Sequence, residues 1–487
     1  MKFKSILTLL FCFLVMVMYP QNQNLPEDYL NKQFHKERRE QLRKILPENS
    51  VAVFFANPVR NRANDVDFVY HQDPNFYYLT GYKEPHSMLL IFKDNQTVGD
   101  NTFNEVLFVQ ERNEYAEMWT GKRLGVEGAQ DNLGFKVAYN GKDFKSYDID
   151  FSKFDKILFE NFQNDVRDTR SEADLFDLIK AFKEKVSFDL VDLTNPANDK
   201  IYNKTEKRID NKTLTTLMGS LREIKTKEEL VLLKKAVEIS AIGQLEIMKA
   251  MHPGMSEFEV QGVHEFVYKK YGAEYEGYPS IVGAGNNGCI LHYIENTKPE
   301  IGNKNLILMD LGAEYHGYTA DVTRTIPANG KFTTEQKLIY DLVYKAQEAG
   351  IAEAKIGSTV QKSHAVTRDI INEGLAKLGI IASKDTKHNY YPHGSSHHIG
   401  LDVHDLSNYG PFKENMVITV EPGIYIPEGS PCDIKWWGIG IRIEDDILIT
   451  KDGPVILSVM APRKSEEIEE AMKLTSVLDN FNLPKLD

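Results

Sequence analysis

The chain has 487 residues, 42% of them hydrophobic and 26% charged, the balance of a soluble globular protein rather than a fibrous, disordered or polytopic membrane one. Its length exceeds what one ordinary core accommodates, so two or three domains are expected. Formal net charge is −13, and no Lys/Arg run of the kind that tracks phosphates is present, which argues against nucleic acid as a partner.

The N-terminus, MKFKSILTLLFCFLVMVMYPQNQ, sets Lys2 and Lys4 before an apolar run from Ile6 to Tyr19. That run is shorter than the ~20 residues a membrane-spanning helix needs, so residues 1–22 read as an export signal and the protein as periplasmic or secreted. No small-x-small pattern marks cleavage, and an uncleaved membrane anchor is the lesser alternative. Phe11 before Cys12 argues against a lipidation site. After signal removal only Cys289 and Cys432 remain, enough for one disulfide at most, so stability must come from the core.

Residues 25–215 read as an α/β domain. Strand-like runs are VAVFFA (51–56), MLLIF (88–92), EVLFVQ (105–110) and KILFE (156–160), with helical pattern between them. SEADLFDLIKAF offers a helix N-cap at Ser171 with Asp174 three residues on. NKTEKRIDNKT (203–213) is the most linker-like segment. Beyond it, long amphipathic helices open with capping boxes pairing Thr226 with Glu229, Ser256 with Glu259 and Ser358 with Gln361. They are interleaved with glycine-punctuated strands: SIVGAG (280–285), NLILMDLG (305–312), MVITVEPG (416–423) and GIGIRIEDDILIT (438–450). This half reads as α+β.

Within NLILMDLGAEYHGYTADVTRTIP (305–327), a turn centred between Tyr315 and His316 would set Asp310 and Asp321 directly opposite across a hairpin, with Cβ atoms ~5 Å apart. Two ionised carboxylates so placed repel. Solvent exposure, a shared proton or a cation would each relieve the repulsion. Exposure is disfavoured for Asp310, which ends the apolar run Leu306–Met309, although a surface hairpin with ordinary aspartates is the plainer reading of that segment alone. Further acids occur at similar places. Glu421 ends the apolar MVITV before the Pro422-Gly423 turn, and GIGIRIEDD alternates so that Gly440, Arg442 and Glu444 share one face. Singly, each is an ordinary strand end or a charged edge. Four acids at the mouths of four apolar strands make a poor account of surface.

HGSSHHIGLDVHD (393–405) holds four of the chain's thirteen histidines. One imidazole added to four carboxylates is a mixed O/N set that suits manganese and tolerates cobalt, iron or zinc. Two ions ~3.5–4 Å apart would use all the carboxylates and generate a hydroxide nucleophile at neutral pH.

MDLGAEYHGYTADVTRTIP, HGSSHHIGLDVHD, TVEPGIY and GIGIRIEDD, with GCILHY (288–293), closely resemble the motifs of the pita-bread metallopeptidases of the Xaa-Pro aminopeptidase (aminopeptidase P) family. NFYYLTGY (75–82) and AEMWTGKRLG (116–125) resemble that family's N-terminal domain. The resemblance implies a pita-bread catalytic domain over 220–465 and leaves 466–487 as a tail. It implies that Asp310 binds one ion, Asp321 and Glu444 bridge two, and His397 and Glu421 complete the second, with manganese the usual metal. Glu421 is then the candidate proton acceptor and donor. His404 and His292 would contact the substrate or the developing oxyanion, and His393 would orient the substrate. Arg442 would hold bridging carboxylates in place. His398 stands where the family more often has an aromatic or apolar residue, and no role is implied for it.

Bland readings stand beside these. His292 also fits a core position, Cys289 reads as a buried small hydrophobe, Trp436 and Trp437 as cleft wall or core, and Tyr278 as a pocket-lining residue. The implied substrates are peptides with proline second, cut by attack of a metal-bridging hydroxide on the preceding bond; a tertiary X–Pro amide has no N–H, so peptidases that read an extended N–H fit it badly. Three rivals share the fold: an Xaa-Pro dipeptidase, a peptide-binding module without activity, and a metal-free creatinase-like hydrolase. The family's habit of association makes a homo-oligomer the modest expectation.

Overall fold

A computed structural model of the chain describes residues 28–98, 101–162, 173–186, 188 and 208–479. The expected export signal and the end of the C-terminal tail lie outside the described residues.

The N-terminal half is built on one mixed sheet. In chain order its main elements are the helix Lys32–Ile45, β1 (Ser50–Phe55), the small hairpin β2 (Asn61–Ala63) and β3 (Val66–Asp67), the helix Pro74–Thr80, β4 (Met88–Val98), β5 (Asn101–Val109), the short helices Glu114–Thr120 and Gly125–Asp131, β6 (Ala138–Asn140), β7 (Lys156–Phe159), the helix Leu175–Lys185 and β8 (Ile209–Asp210). The strand order is β6-β5-β4-β1-β7-β8, with β4 antiparallel to β1 and β5, and β7 parallel to β1 and β8. Val51, Val53, Leu90, Phe108 and Phe159 pack one face of the sheet against Phe151, Phe154 and Phe182. Each such fully buried side chain contributes roughly 1.5–3 kcal/mol over an exposed one.

Two sequence expectations change here. Helix 175–185 is capped by Asp174, whose carboxylate accepts from the Asp177 N–H, rather than by Ser171, which lies outside the described residues. The end of the expected linker is ordered structure: Ile209 and Asp210 extend the sheet, and Asp210 accepts from the Thr213 N–H at the start of helix Thr213–Arg222.

In the second half, helices Lys227–Ala250 and Glu257–Lys270 begin with the two expected capping boxes. A further box, Thr333 with Gln336, opens helix Thr334–Glu353. Helix Val360–Lys377 is capped one residue later than expected, by Thr359, while the Ser358 hydroxyl turns back to Glu353. The strands are β9 (Tyr275–Glu276), β10 (Ile281–Ala284), β11 (Leu306–Leu311), β12 (Ala313–Tyr315), β13 (Tyr318–Thr319), β14 (Val322–Pro327), β15 (Val417–Val420), β16 (Gly423–Ile426), β17 (Ile439–Arg442), β18 (Asp445–Thr450) and β19 (Gly453–Ile456). They form small antiparallel sheets, β10-β11-β14, β13-β12-β9, β15-β18-β19 and β16-β17. Helices cover them, and the shared core includes Ile307, Met309, Ile339, Val343, Ile371 and Trp436. Trp436 is therefore core, while the Trp437 indole N–H donates to the Ser430 carbonyl. Cys289 and Cys432 are both free thiols.

Candidate metal centre and its cleft

The hairpin that bears Asp310 and Asp321 has a different register from the one expected. Tyr315 pairs with Tyr318, and Asp310 pairs with Thr323, so the turn falls on His316-Gly317. Both turn residues have positive φ, 52° and 90°, the left-handed pair that a two-residue hairpin turn requires and that glycine in the second place accommodates. Asp321 thus lies two residues along from the partner of Asp310, just before β14 and diagonal to Asp310 on the same face.

The two carboxylates meet through a phenol. The Tyr278 hydroxyl lies 2.6 Å from an oxygen of Asp310 and 2.6 Å from one of Asp321. β14 and β17 are joined by side chains: Arg442 N–H donates to Thr325 Oγ1, which donates back to the Arg442 carbonyl. That clamp aims Arg442 inward. Its guanidinium donates to Asp310 Oδ2, to Thr323 Oγ1 and to the Tyr425 hydroxyl, and lies 4.0 Å from Glu444. Glu444 sits in the break between β17 and β18, where its N–H donates to the Thr323 carbonyl and its carboxylate accepts from the Thr323 hydroxyl at 2.6 Å.

His397 enters from the other side. Its ring Nδ1 lies 3.1 Å from the His398 carbonyl, which makes Nδ1 the protonated nitrogen and leaves Nε2 turned to Asp321 and Glu421, 3.4 Å from each. The Thr419 hydroxyl links two of these residues, accepting from the His397 N–H and donating to Glu421 Oε1. Asp321, His397 and Glu444 each offer a ligand atom, all within 4.8 Å of one another. Asp310 joins this trio through Tyr278, and Glu421 joins it through His397.

All five residues line one cleft of about 500 Å³. His292, His393, His404 and Arg442 line the same cleft, with Leu291, Ile294 and Val403 forming an apolar wall. His292 and His404 are exposed at its mouth, so neither is a core histidine. His393 is held at both ends, with Nε2 2.8 Å from the Tyr425 hydroxyl and Nδ1 3.4 Å from Glu421. His398 is fully buried behind the cleft, edge-on to Tyr409, and belongs to the wall. Tyr278, read as pocket-lining, proves central, and Tyr425 and Thr419 were not anticipated although both lie within TVEPGIY; only the folded chain shows what these hydroxyls touch.

The electrostatics suit a cation. Burial and the neighbouring Asp310 push the Asp321 carboxyl up to about 6. Burial, with Asp321, Glu421 and Asp310 close by, raises Glu444 well above the ordinary carboxylate range. Burial also opposes ionisation of Asp310 and Glu421, but Arg442 outweighs it at the first and the two histidines at the second, so both are lowered. Burial disfavours the His397 cation, yet contact with Asp321 and Glu421 raises it to about 9. Four buried carboxylates face one arginine and one imidazole. Hard oxygen donors in excess, with one imidazole nitrogen that would give up its proton to a bound cation, fit divalent ions.

Comparison with known proteins agrees with this chemistry. Residues 231–451 match the model of metallopeptidase family M24, and residues 35–154 match that of the aminopeptidase P N-terminal domain. An Xaa-Pro aminopeptidase of Escherichia coli is 35% identical over 460 residues, covering 91% of this chain and 98% of that protein. A mitochondrial intermediate cleaving peptidase of Arabidopsis thaliana is 31% identical over 435 residues, covering 89% and 81%. The solved structure of E. coli aminopeptidase P with the inhibitor Pro-Leu superposes with a TM-score of 0.78 at 32% identity, covering 91% of this chain and 99% of that one.

Proposed function

This chain belongs to metallopeptidase family M24, in its aminopeptidase P branch, and on that premise we propose that it removes the N-terminal residue from peptides with proline in the second position. The observation that carries the reading is the convergence of Asp321, His397 and Glu444 within 4.8 Å in a cleft that Asp310 and Glu421 also line. These five side chains would hold two divalent ions, and the carboxylate-rich donor set favours Mn²⁺. When bound, such ions polarise the scissile carbonyl and activate water at neutral pH.

The chain's own residues supply the rest. Glu421 accepts the proton of the attacking water and returns it to the departing proline nitrogen; its lowered pKa keeps it ionised and ready to accept. His393, 3.4 Å from Glu421 and bonded to the Tyr425 hydroxyl, orients that carboxylate and the substrate beside it. His292 and His404 stand exposed at the cleft mouth and donate to substrate carbonyl oxygen as negative charge develops there. Arg442 keeps Asp310 ionised and in place. The apolar wall of Leu291, Ile294 and Val403 excludes water from the peptide's non-polar flank.

Proline selectivity follows from the family and from the absent N–H of the X–Pro bond. The start of the chain supports export with loss of residues 1–22, and association into a homo-oligomer is part of the same reading. The deciding experiment is cleavage of Xaa-Pro and Xaa-Pro-Xaa peptides by the Mn²⁺-loaded enzyme, before and after chelation. Release of the first residue from the tripeptide, abolished by chelation, is expected. Activity confined to the dipeptide would replace this reading with a dipeptidase, and no cleavage of either would leave a binding module.

A further inference from the structure

His404 is exposed at the cleft mouth, its ring edge-on to His397 at 4.4 Å between centroids. An imidazole so loosely held faces a substrate reproducibly only if the backbone beneath it is fixed. The next residue, Asp405, is the fixture. Its carboxylate is 3% exposed and accepts hydrogen bonds from two buried cations, Arg222 and, at 2.7 Å, Lys225, each exposed by 3% or less. Lys225 also donates to the Arg222 carbonyl, which closes the triad. Space around it is complete: a Cβ at Gly400 would lie 2.3 Å from an Asp405 oxygen and 2.9 Å from the Lys225 chain.

The backbone of Asp405 reaches the metal centre. Its N–H donates to the His398 carbonyl at 2.9 Å, and the same carbonyl accepts from His397 Nδ1 at 3.1 Å. The position of Asp405 therefore sets which nitrogen of His397 turns to Asp321 and Glu421, as well as where His404 stands. The second arm of Arg222 leaves the catalytic half: its NH1 donates to Asn75 Oδ1 at 2.8 Å, and Asn75 donates to Glu160 at 2.9 Å. Asn75 and Glu160 lie at the helix and strand ends of the N-terminal sheet region.

We propose that Asp405, held by Arg222 and Lys225, is a positioning residue for His397 and His404, and that Asn75 makes the N-terminal half part of this device. The proposal rests on the peptidase reading of the cleft. A buried ion network is otherwise a poor source of stability, because desolvation offsets most of the attraction. Its value here is the fixed geometry it gives to the chain segment that carries both histidines, added to the hold of Thr419 on the His397 backbone and of Asp402 on the His404 backbone.

The test uses the full chain with three variants. Arg222→Gln leaves one cation, Lys225, against one carboxylate, so the network stays neutralised. Asn75→Ala cuts only the arm to the N-terminal half. Arg222→Lys restores charge but reaches one acceptor, not two. In Arg222→Gln, kcat on an Xaa-Pro-Xaa peptide is expected to fall at least ~10-fold with KM within about threefold, and Mn²⁺ affinity measured by calorimetry to fall at least ~10-fold. Asn75→Ala is expected to shift kcat about threefold or more in the same direction, and Arg222→Lys to recover part of the loss. Wild-type kcat and Mn²⁺ affinity in both Arg222→Gln and Asn75→Ala, with only the melting temperature lowered, would overturn the proposal. If Arg222→Gln does not fold, Asn75→Ala decides alone. If the wild-type enzyme cleaves no Xaa-Pro peptide, the peptidase reading fails, and Mn²⁺ affinity in the variants still judges the positioning role.

Discussion

Replacing His398 with phenylalanine should stabilise the protein. The imidazole is fully buried, and neither ring nitrogen has a hydrogen-bond partner among the described residues. An unmade hydrogen bond of a buried polar group costs ~1–3 kcal/mol, and phenylalanine removes the polar atoms while keeping a ring edge-on to Tyr409, 5.4 Å away. Acidification widens the difference. Burial, aided by the Lys225 cation, lowers His398 from 6.5 to about 4, so between those values the unfolded chain takes up a proton that the native chain does not. Wild-type stability then falls by ~1.4 kcal/mol per pH unit below 6.5, or roughly 2 kcal/mol by pH 5, and the variant lacks this loss. Urea denaturation at pH 7 and pH 5 reads both effects: the variant's midpoint should be higher at pH 7 and further ahead at pH 5. A midpoint that is equal or lower at pH 7, or a gap that stays constant on acidification, would refute the reasoning.

Three further outcomes follow from the cleft. Asp321→Ala should abolish tripeptide cleavage and weaken Mn²⁺ binding, measured by metal content after dialysis, because this residue joins the trio within 4.8 Å and contacts both Tyr278 and His397. Tyr278→Phe removes the hydroxyl shared by Asp310 and Asp321 and should cost ~10–100-fold in kcat or metal affinity, with the fold retained by circular dichroism. Gly312→Ala would place a Cβ 1.9 Å from the Ala320 carbonyl oxygen and 2.7 Å from the Tyr278 ring. Backbone cannot yield there as a side chain can, so destabilisation of about 3 kcal/mol or more is expected in thermal unfolding, with activity falling as Tyr278 and Asp321 shift.

Where the chemistry was local, the sequence carried it. Capping boxes at Thr226 and Ser256 are three-residue patterns and formed as read. Acids at the ends of apolar runs were legible because a charge there contradicts the strand's own pattern. The hairpin register slipped by two residues because Tyr315-His316 and His316-Gly317 were both available turns, and the glycine, able to take positive φ, was the discriminating signal. At 358–359 two adjacent hydroxyl residues competed for one cap, and the second won while the first bonded Glu353. What stayed illegible was long-range. Arg222 and Asp405 are separated by 183 positions, and nothing in either neighbourhood announces the other. The paired contacts of Tyr278, 32 and 43 positions from its two partners, are of the same kind.

The acidic centre also shows why its residues contradict their surroundings. Asp310 lies one residue inside the end of its strand and Glu421 and Glu444 just beyond theirs, and burial there raises Glu444 and, with Asp310 close by, Asp321, because too few protein cations face them. Arg442 compensates Asp310 directly and reaches Glu444 only at 4.0 Å. A fully compensating set of cationic side chains would have stabilised the fold and filled the cleft. Leaving the charge uncompensated keeps room for divalent ions and makes their binding contribute to stability, by ~2.7 kcal/mol at a hundredfold excess over the dissociation constant. The shortage of protein cations around these carboxylates is therefore what suits the cleft to divalent ions.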